Sequence, residues 1–567
     1  MQSELKQVFE ALTAPGQMFE ITEVEVNGQS LRAWMHAPGS LRDVWAMAAG
    51  HADKDYLVYQ NERWTYAEAI DEVARIANWL RSNGVGQHDR VAIAMRNYPE
   101  WMLSYWAIAS IGAVSVGMNA WWVPEEMAYA LKDSAPKALI ADRERIERFA
   151  EIRSDFPDMV TAAVRVDEVP EWAHDWSQVK QSPAEVPEVV IHPDDDASIF
   201  YTSGTTGVPK GAQLTHRSCC NNLMSLMFMN VAQSQVVALA TGQEAPSPMD
   251  PDAPQVASIV ATPLFHVTAN NCLAQAVTIA GGKLAHMYKW DAGEALRLIE
   301  EERITTFTGV PVMSREMISH PDFATRDTSS LKALGGGGAP VHPDLVDKID
   351  KSGAGAQPSQ GYGMTESSGI ISAASGPLFT KNPASAGVIV PIYEARIIDP
   401  EGNTLPVGET GELCVRGAQV IKGYLNRPEA TAETIVDGWL HTGDIGYLDE
   451  ANFIYLVDRA KDMVLRGGEN VYCSEVETAI FKHDAVAEAA VFSVPDERLG
   501  EEVGAAVYPV AGATPSAQEI REFCQQSLAA YKVPRYIWIL DEPLPRNASG
   551  KFMKKTLQDV LEVATAG

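Results

Sequence analysis

Residues 201–216 read YTSGTTGVPKGAQLTH, a run of small hydroxyl residues and glycines with Lys210 near its end. Such a loop leaves backbone N–H groups uncovered and sets one ammonium beside them, which is chemistry for holding a polyphosphate. It is not the pattern G-x-x-x-x-G-K-[ST], because Pro209 rather than glycine precedes the lysine. Further polar stretches follow. GYGMTESSG (361–369) packs glycines around Thr365 and Glu366, and DGWLHTGDIGYLDE (437–450) sets Asp444 among glycines. DRAKDMVLRGGEN (458–470) joins Arg459 and Lys461 to the pair Gly467 and Gly468, and PRNASGKFMKK (545–555) puts Lys551 after a flexible turn. Any one Gly-rich polar loop is more often a plain turn than a site. Together, and in this order, they weigh more.

The elements that must carry these loops read as alternating strand and helix. Trp64–Asn83 has apolar residues at helical spacing, with Thr65 and Glu68 forming a capping box. VAIAM (91–95), KALIAD (137–142), ASIVATP (257–263) and TTFTGVP (305–311) are short buried strands. Residues 101–124 carry no charge and meet the length criterion for a membrane span. Pro99 and Glu100 open a helix there, Gly112 ends it, and AVSVGMN reads as a core strand, so a buried α/β unit is the expectation. The proline-rich, acidic ATGQEAPSPMDPDAPQ (240–255) reads as an exposed, mobile insertion. After about residue 385 the strands shorten: YEARIID, GELCVRG and FIYLVD. Past Asp458, a helix from Ser474, strands AAVFSV and GAAVYPV, a helix from Ser516, strand YIWIL and a last helix form a compact set. The fold class is therefore α/β. A large N-terminal, multi-layer domain (1–457) precedes a small C-terminal α+β domain (458–567).

The chain has 567 residues, 46% hydrophobic and 21% charged, the balance of a globular protein with more than one domain. A formal charge of −30 argues against a nucleic-acid or anionic-membrane partner. Six scattered cysteines without a C-x-x-C pair suit a reducing compartment better than a disulfide framework or zinc site. The first residues lack the basic start and apolar run of a signal peptide, and EVATAG is no retention signal, so the cytoplasm is expected.

From about residue 50 to 555 the chain resembles the adenylate-forming superfamily, in its acyl-CoA synthetase branch, with TSGTTGVPKG as the most specific stretch. The resemblance implies an ATP-dependent ligase that turns a carboxylic acid into an acyl-adenylate and then a CoA thioester. ATP, Mg²⁺ and CoA are the implied cofactors. An anion attacks an anion in the first step, so charge neutralisation and positioning should dominate catalysis. By similarity, Thr202, Ser203, Gly204, Thr205, Thr206, Gly207 and Lys210 hold the β- and γ-phosphates. Glu366 is the implied metal ligand, and Thr365 faces the α-phosphate. Asp444 takes the ribose hydroxyls and Arg459 adds a ribose or phosphate contact. Gly338, Ala339, Gly361, Tyr362 and Gly363 border the adenine. Lys551 bridges the substrate carboxylate and the α-phosphate. The resemblance further implies that the small domain rotates about Lys461 for the second step, with Gly467 and Gly468 lining the pantetheine tunnel.

TPLFHVTANN (262–271) carries Phe265 and His266 and no acidic residue, which by the same resemblance favours an acid without an amino group. His266, Val267, Gly309, Val310, Gly337 and Met364 are the implied acyl-pocket residues. Their apolar character suggests a medium- or long-chain fatty acid, with aryl or sterol-side-chain acids also able to fit. The four glycines 335–338 leave length for a chain or only make a tight turn. Ala269 stands where glycine is usual, Cys473 where proline is common, and Arg466 where a small residue is frequent. The last either reaches a CoA phosphate or faces solvent. Loading of a carrier protein and non-catalytic binding of an adenylate are the rival readings. Oligomeric state stays open, a homodimer being one option.

Overall fold

The computed structural model describes residues 2–202, 208–244, 253–338, 341, 343–353, 355–459, 462–467, 469–547 and 550–567. They group into two compact units, one of residues 1–394 with 415–440 and one of 395–414 with 441–567.

The first unit holds two large sheets. In one, Val114–Gly117, Arg90–Ala94, Ala138–Asp142 and Val160–Val164 lie side by side and parallel. Parallel neighbours need crossovers, which the helices Pro99–Ser110, Pro124–Ser134 and Arg143–Ile152 supply. Helices on both faces explain why Ala138–Asp142 is buried at every position. Asp196–Thr202 extends this sheet, and Lys210–Thr215 and Gly423–Tyr424 follow it in antiparallel pairing. The second sheet contains, in spatial order, Gly387–Ile389, Gly369–Ser375, Gln357–Met364, Ala333–Gly337, Thr306–Gly309, Ala257–Val260, Lys283–His286 and Asp55–Tyr59.

Local expectations in this unit hold. Thr65 caps the helix Tyr66–Ser82, and Glu68 reaches back to the Thr65 N–H at 2.8 Å, completing the capping box. The charge-free stretch becomes the fully buried helix Pro99–Ser110, a left-handed turn at Gly112 (φ 67°) and the strand Val114–Gly117. One helix among the described residues, His216–Thr241, is long and apolar enough to cross a membrane by length and composition. Half of its most apolar window is buried inside the protein. This helix also runs through Thr241 and stops at Gly242 (φ 68°), so the segment 240–255 begins as helix rather than as irregular chain. Residues 245–252 lie outside the described residues.

The second unit contains the antiparallel pair Trp439–Leu448 and Phe453–Arg459, with Glu394–Ile398 and Gly411–Arg416 adjoining in the same sheet. The expected cut at 457/458 falls inside the strand Phe453–Arg459, whose ladder to Trp439–Leu448 keeps 441–457 with the C-terminal residues. A further sheet runs Glu469–Val471, Val464–Arg466, Gly500–Pro509, Val486–Asp496, with Tyr536–Ile539 on Gly500–Pro509. Helices Cys473–Phe481 and Ala517–Gln525 cover one face through Val476, Ile480 and Ile520, and Lys554–Val560 covers the other through Leu557. Cys473 is buried in this core and burial pushes its thiol well up, so it packs rather than reacts.

Candidate active site

Seven residues between two paired strands form the candidate phosphate loop. Thr202 ends one strand, Lys210 begins the next, and the two face each other across the antiparallel ladder. The loop is therefore closed at its neck. Ser203, Gly204, Thr205, Thr206 and Gly207 lie outside the described residues. The exit strand is tied down by the Tyr129 hydroxyl, which donates to the Pro209 carbonyl at 3.0 Å. Lys210 Nζ sits 5.0 Å from the centre of the Tyr424 ring, in cation–π range.

Thr365 and Glu366 follow the strand Gln357–Met364 in a tight turn, Thr365–Ser367. Two glycines make the turn feasible. A Cβ on Gly363 would fall 1.9 Å from the Gly369 carbonyl oxygen, and one on Gly369 (φ 151°) would fall 2.1 Å from Asn222 Oδ1. Ser368 takes the left-handed region at φ 55°. A buried amide cluster fixes this geometry from behind. Asn222 Oδ1 accepts from the Ile370 N–H (3.0 Å), and Asn271 Nδ2 donates to the Ser368 carbonyl (3.0 Å). Gln419 Nε2 donates to the carbonyls of Ser367 (3.0 Å) and Ile370 (2.7 Å). Asn271 lies in a π-helical turn, Asn270–Ala274, immediately after His266 and Val267. The segment that carries His266 and Val267 and the Thr365–Glu366 turn are thus joined through side-chain amides.

Glu366 is buried, and the Tyr424 hydroxyl donates to its Oε1 at 2.6 Å. Burial, with the Glu366 charge second, pushes the Tyr424 phenol far above its ordinary range, so it stays a donor. Glu366 retains a second oxygen for a hard cation. A carboxylate beside a phosphate-type loop fits Mg²⁺, which prefers oxygen ligands and shares them with phosphates.

The pocket glycines divide into two kinds. A Cβ on Gly335 would strike Ser359 Oγ at 2.0 Å, one on Gly309 would meet Met313 Sδ and the Phe307 ring at 2.9 Å, and one on Gly336 would press Pro311 at 3.2 Å. Those positions are consumed by packing. Gly337 pairs with Gly361 across the parallel strands, and a Cβ on either, or on Gly338, meets nothing among the described residues nearer than 3.4 Å. Among the described residues, space is therefore left beside Gly337, Gly338 and Gly361, while Gly309 and Gly335 are closed in by their neighbours. Val267, Val310 and Ile370 are buried nearby in the fold, while Tyr362, Gly363 and Met364 are half-buried along their strand. His266 caps the turn Val267–Ala269, and its ring lies 4.8 Å from Phe265. Ala339 lies outside the described residues.

The second unit carries its own set. Asp444 and Arg459 are a register pair, and Arg459 Nε meets Asp444 Oδ1 at 2.9 Å, orienting a carboxylate that is nearly buried. Thr442 Oγ1 accepts from the Asp444 N–H at 3.1 Å. Glu412 holds the preceding Gly443 N–H at 3.0 Å and His441 Nδ1 at 3.1 Å. Glu412, Cys414 and His441 come within 4.8 Å of one another, but both Glu412 oxygens already serve this turn. Gly467 adopts φ 60°, and a Cβ there would press Leu499 at 3.0 Å. Arg466 pairs through its Nε with the buried Glu502. Lys551 is exposed on a turn closed by Asn547, whose Oδ1 accepts from the Lys551 N–H at 3.0 Å. Lys461 and Gly468 lie outside the described residues.

The sequence reading missed Tyr424, Gln419, Asn222 and Asn271. None stands in a Gly-rich stretch, and each acts through a neighbour remote in sequence.

Residues 44–425 match the family described as AMP-binding enzyme, and residues 475–551 match the AMP-binding enzyme C-terminal domain. A feruloyl-CoA synthase of Amycolatopsis sp is 36% identical over 491 residues, covering 86% of this chain and 92% of that protein. A long-chain-fatty-acid–CoA ligase of Bacillus subtilis is 31% identical over 541 residues, covering 90% and 92%. Among solved structures, ATP-bound MatB from Rhodopseudomonas palustris superposes with a TM-score of 0.79 at 28% identity, covering 91% of this chain and 98% of that one.

Proposed function

The chain belongs to the AMP-binding enzyme family and is an AMP-forming acid–thiol ligase using ATP and CoA, and from that premise we propose that its acid is a flat aryl acid of the hydroxycinnamate kind. The observation that carries this reading is the division of the glycines. Gly337, Gly338 and Gly361 leave a planar floor, whereas Gly309, Gly335 and Gly336 are filled by Met313, Phe307, Ser359 and Pro311. Phe307 is wholly buried, with the Trp290 ring tilted against it at a centroid distance of 5.5 Å, which supports a closed wall on that side. A planar ring gains contact with such a floor at little conformational cost, while an alkyl chain needs a tunnel. The feruloyl-CoA relative supports the same class.

In the proposed mechanism the acid carboxylate attacks the α-phosphorus and pyrophosphate leaves. Thr202 and Lys210, with the loop 203–207 between them, hold the departing phosphates. Mg²⁺ on Glu366 would supply positive charge to the phosphate oxygens. Thr365 faces the α-phosphate, Asp444 and Arg459 grip the ribose, and Lys551 neutralises the approaching carboxylate. The CoA thiol then attacks the acyl carbon and AMP leaves. For that step we propose that the segment after Lys461 moves about that residue, bringing Gly467 and Gly468 to the acyl group, with His266 lining the acyl site. The six unpaired cysteines support work in a reducing compartment, the cytoplasm.

A second reading, a medium- or long-chain fatty acid, is favoured by the buried apolar trio Val267, Val310 and Ile370 and by the fatty-acid ligase relative. Pyrophosphate release across C2–C18 acids, benzoates and cinnamates, each with and without CoA, decides between them. We expect the highest kcat/KM with a hydroxycinnamate and a matching CoA thioester. A kcat/KM that climbs with alkyl length would sink the aryl reading. Turnover indifferent to CoA would move the acceptor to a carrier protein.

A further inference from the structure

Tyr424 touches both halves of the candidate phosphate machinery. Its hydroxyl donates to Glu366 Oε1 at 2.6 Å, and its ring face lies 5.0 Å from Lys210 Nζ. The segment around it is stitched to the same two places. The Ile421 N–H donates to the Glu366 carbonyl at 3.0 Å. The Lys422 N–H donates to the Gln213 carbonyl at 3.0 Å, and the Leu425 N–H to the Gly211 carbonyl at 2.8 Å, both on the strand that leaves the phosphate loop. Gln419, two residues before Ile421, clamps the carbonyls that follow Glu366. Tyr424 is itself nearly buried and its N–H donates to Thr431 Oγ1 at 2.9 Å, so the ring has no freedom to swing away.

We infer that Tyr424 is a positioning residue that sets the Glu366 carboxylate for its cation and the Lys210 ammonium for the phosphates, with residues 419–425 acting as the strap between them. The inference rests on Glu366 being the magnesium-binding carboxylate. The hydroxyl fixes one carboxylate oxygen and turns the other outward. The ring places a cation without neutralising it, which an acidic residue at 424 would do. Without the hydroxyl, Glu366 must be ordered at the moment the cation binds. Without the ring, Lys210 loses its seat as well.

The test separates the two contacts. Mn²⁺ affinity is measured by electron paramagnetic resonance in the presence of α,β-methylene-ATP, and affinity for the same analogue is measured by calorimetry in EDTA. Tyr424→Phe keeps the ring and is expected to weaken Mn²⁺ about tenfold, the scale of one hydrogen bond to a charged group, while leaving metal-free nucleotide affinity unchanged. Tyr424→Leu is expected to weaken both. Glu366→Gln is run alongside: it should weaken Mn²⁺ more than Tyr424→Phe, and Tyr424→Phe should add nothing in that background. If Glu366→Gln leaves Mn²⁺ binding intact, the metal assignment of Glu366 fails. If Glu366→Gln weakens Mn²⁺ and Tyr424→Phe does not, the inference about Tyr424 fails while the assignment stands. Equal losses in both assays for Tyr424→Phe would mean a general structural role and would also overturn it.

Discussion

Replacing Asn222 by leucine removes the buried amide that holds the turn behind Glu366, at nearly constant volume. Its Oδ1 accepts from the Ile370 N–H at 3.0 Å and from Gln419 Nε2 at 3.3 Å, and its Nδ2 donates to the Asn271 carbonyl at 3.3 Å. Gln419 keeps two other acceptors, the carbonyls of Ser367 and Ile370, so it loses little. The Ile370 N–H and the Asn271 carbonyl lose this partner in a region where Asn222, Asn271 and Ser368 are all buried. Leaving a buried polar group unmet costs about 1–3 kcal/mol. Allowing for shared relaxation, the pair should lower the local opening free energy by about 2–4 kcal/mol, which is roughly 30- to 800-fold in exchange protection. Hydrogen exchange followed by mass spectrometry on peptides spanning 365–375 reads this directly. Adenylate formation should fall with it, because the turn that carries the Glu366 carboxylate then loses one of the side-chain amides that brace it. Unchanged protection at Ile370 in Asn222→Leu, with the fold intact, would refute the reasoning. So would lost protection with unimpaired adenylation.

Two further outcomes concern the second unit. Lys551→Ala should lower adenylate formation by orders of magnitude while a supplied acyl-adenylate is still converted to thioester; equal failure of both half-reactions would contradict the division of roles between the two steps. Asp458, at the foot of the proposed moving segment, is held among Arg459, Cys473, Glu477 and Lys554, and burial raises its carboxyl from the usual range to about 6, against the pull of Lys554. A raised acid pKa means the native state binds the proton first, so the stability contributed by Asp458 falls as pH rises from about 4 to about 6, by about 3 kcal/mol at most. Thermal melts of Asp458→Asn across that window should show a flatter profile than the parent, and parallel profiles would remove Asp458 as the cause.

What could be read in the sequence follows from how local each role is. Thr65 and Glu68 form their capping box within one helical turn, and Ser516 and Glu519 do the same, so both helix starts were legible. Pro99, Gly112 and the apolar run between them specify a buried helix and its exit turn without any help from distant residues. Asp444 and Arg459 were legible as separate motif residues, but only the register of their two strands makes them a pair. The boundary expected at 457/458 falls within a strand for the same reason, since no local signal in YLVDR tells that it is laddered to Trp439–Leu448.

The glycines show the limit most clearly. Gly335, Gly336, Gly337 and Gly338 are identical letters in one run, yet the first two are forced by Ser359 and Pro311 and the last two leave space. A glycine required by packing and a glycine that makes room differ only in what lies opposite, and that is decided by the parallel register of Ala333–Gly337 on Gln357–Met364. Tyr424 presents the same problem in reverse. It follows an unremarkable glycine, and its contact with Glu366 spans 58 residues of chain. Motifs mark the groups that touch a ligand because the chemistry limits which side chains can serve. The groups that aim them are chosen by geometry, so they carry no signature of their own, and the acid specificity, which on the proposed reading depends on which glycines are already filled, belongs to that second kind.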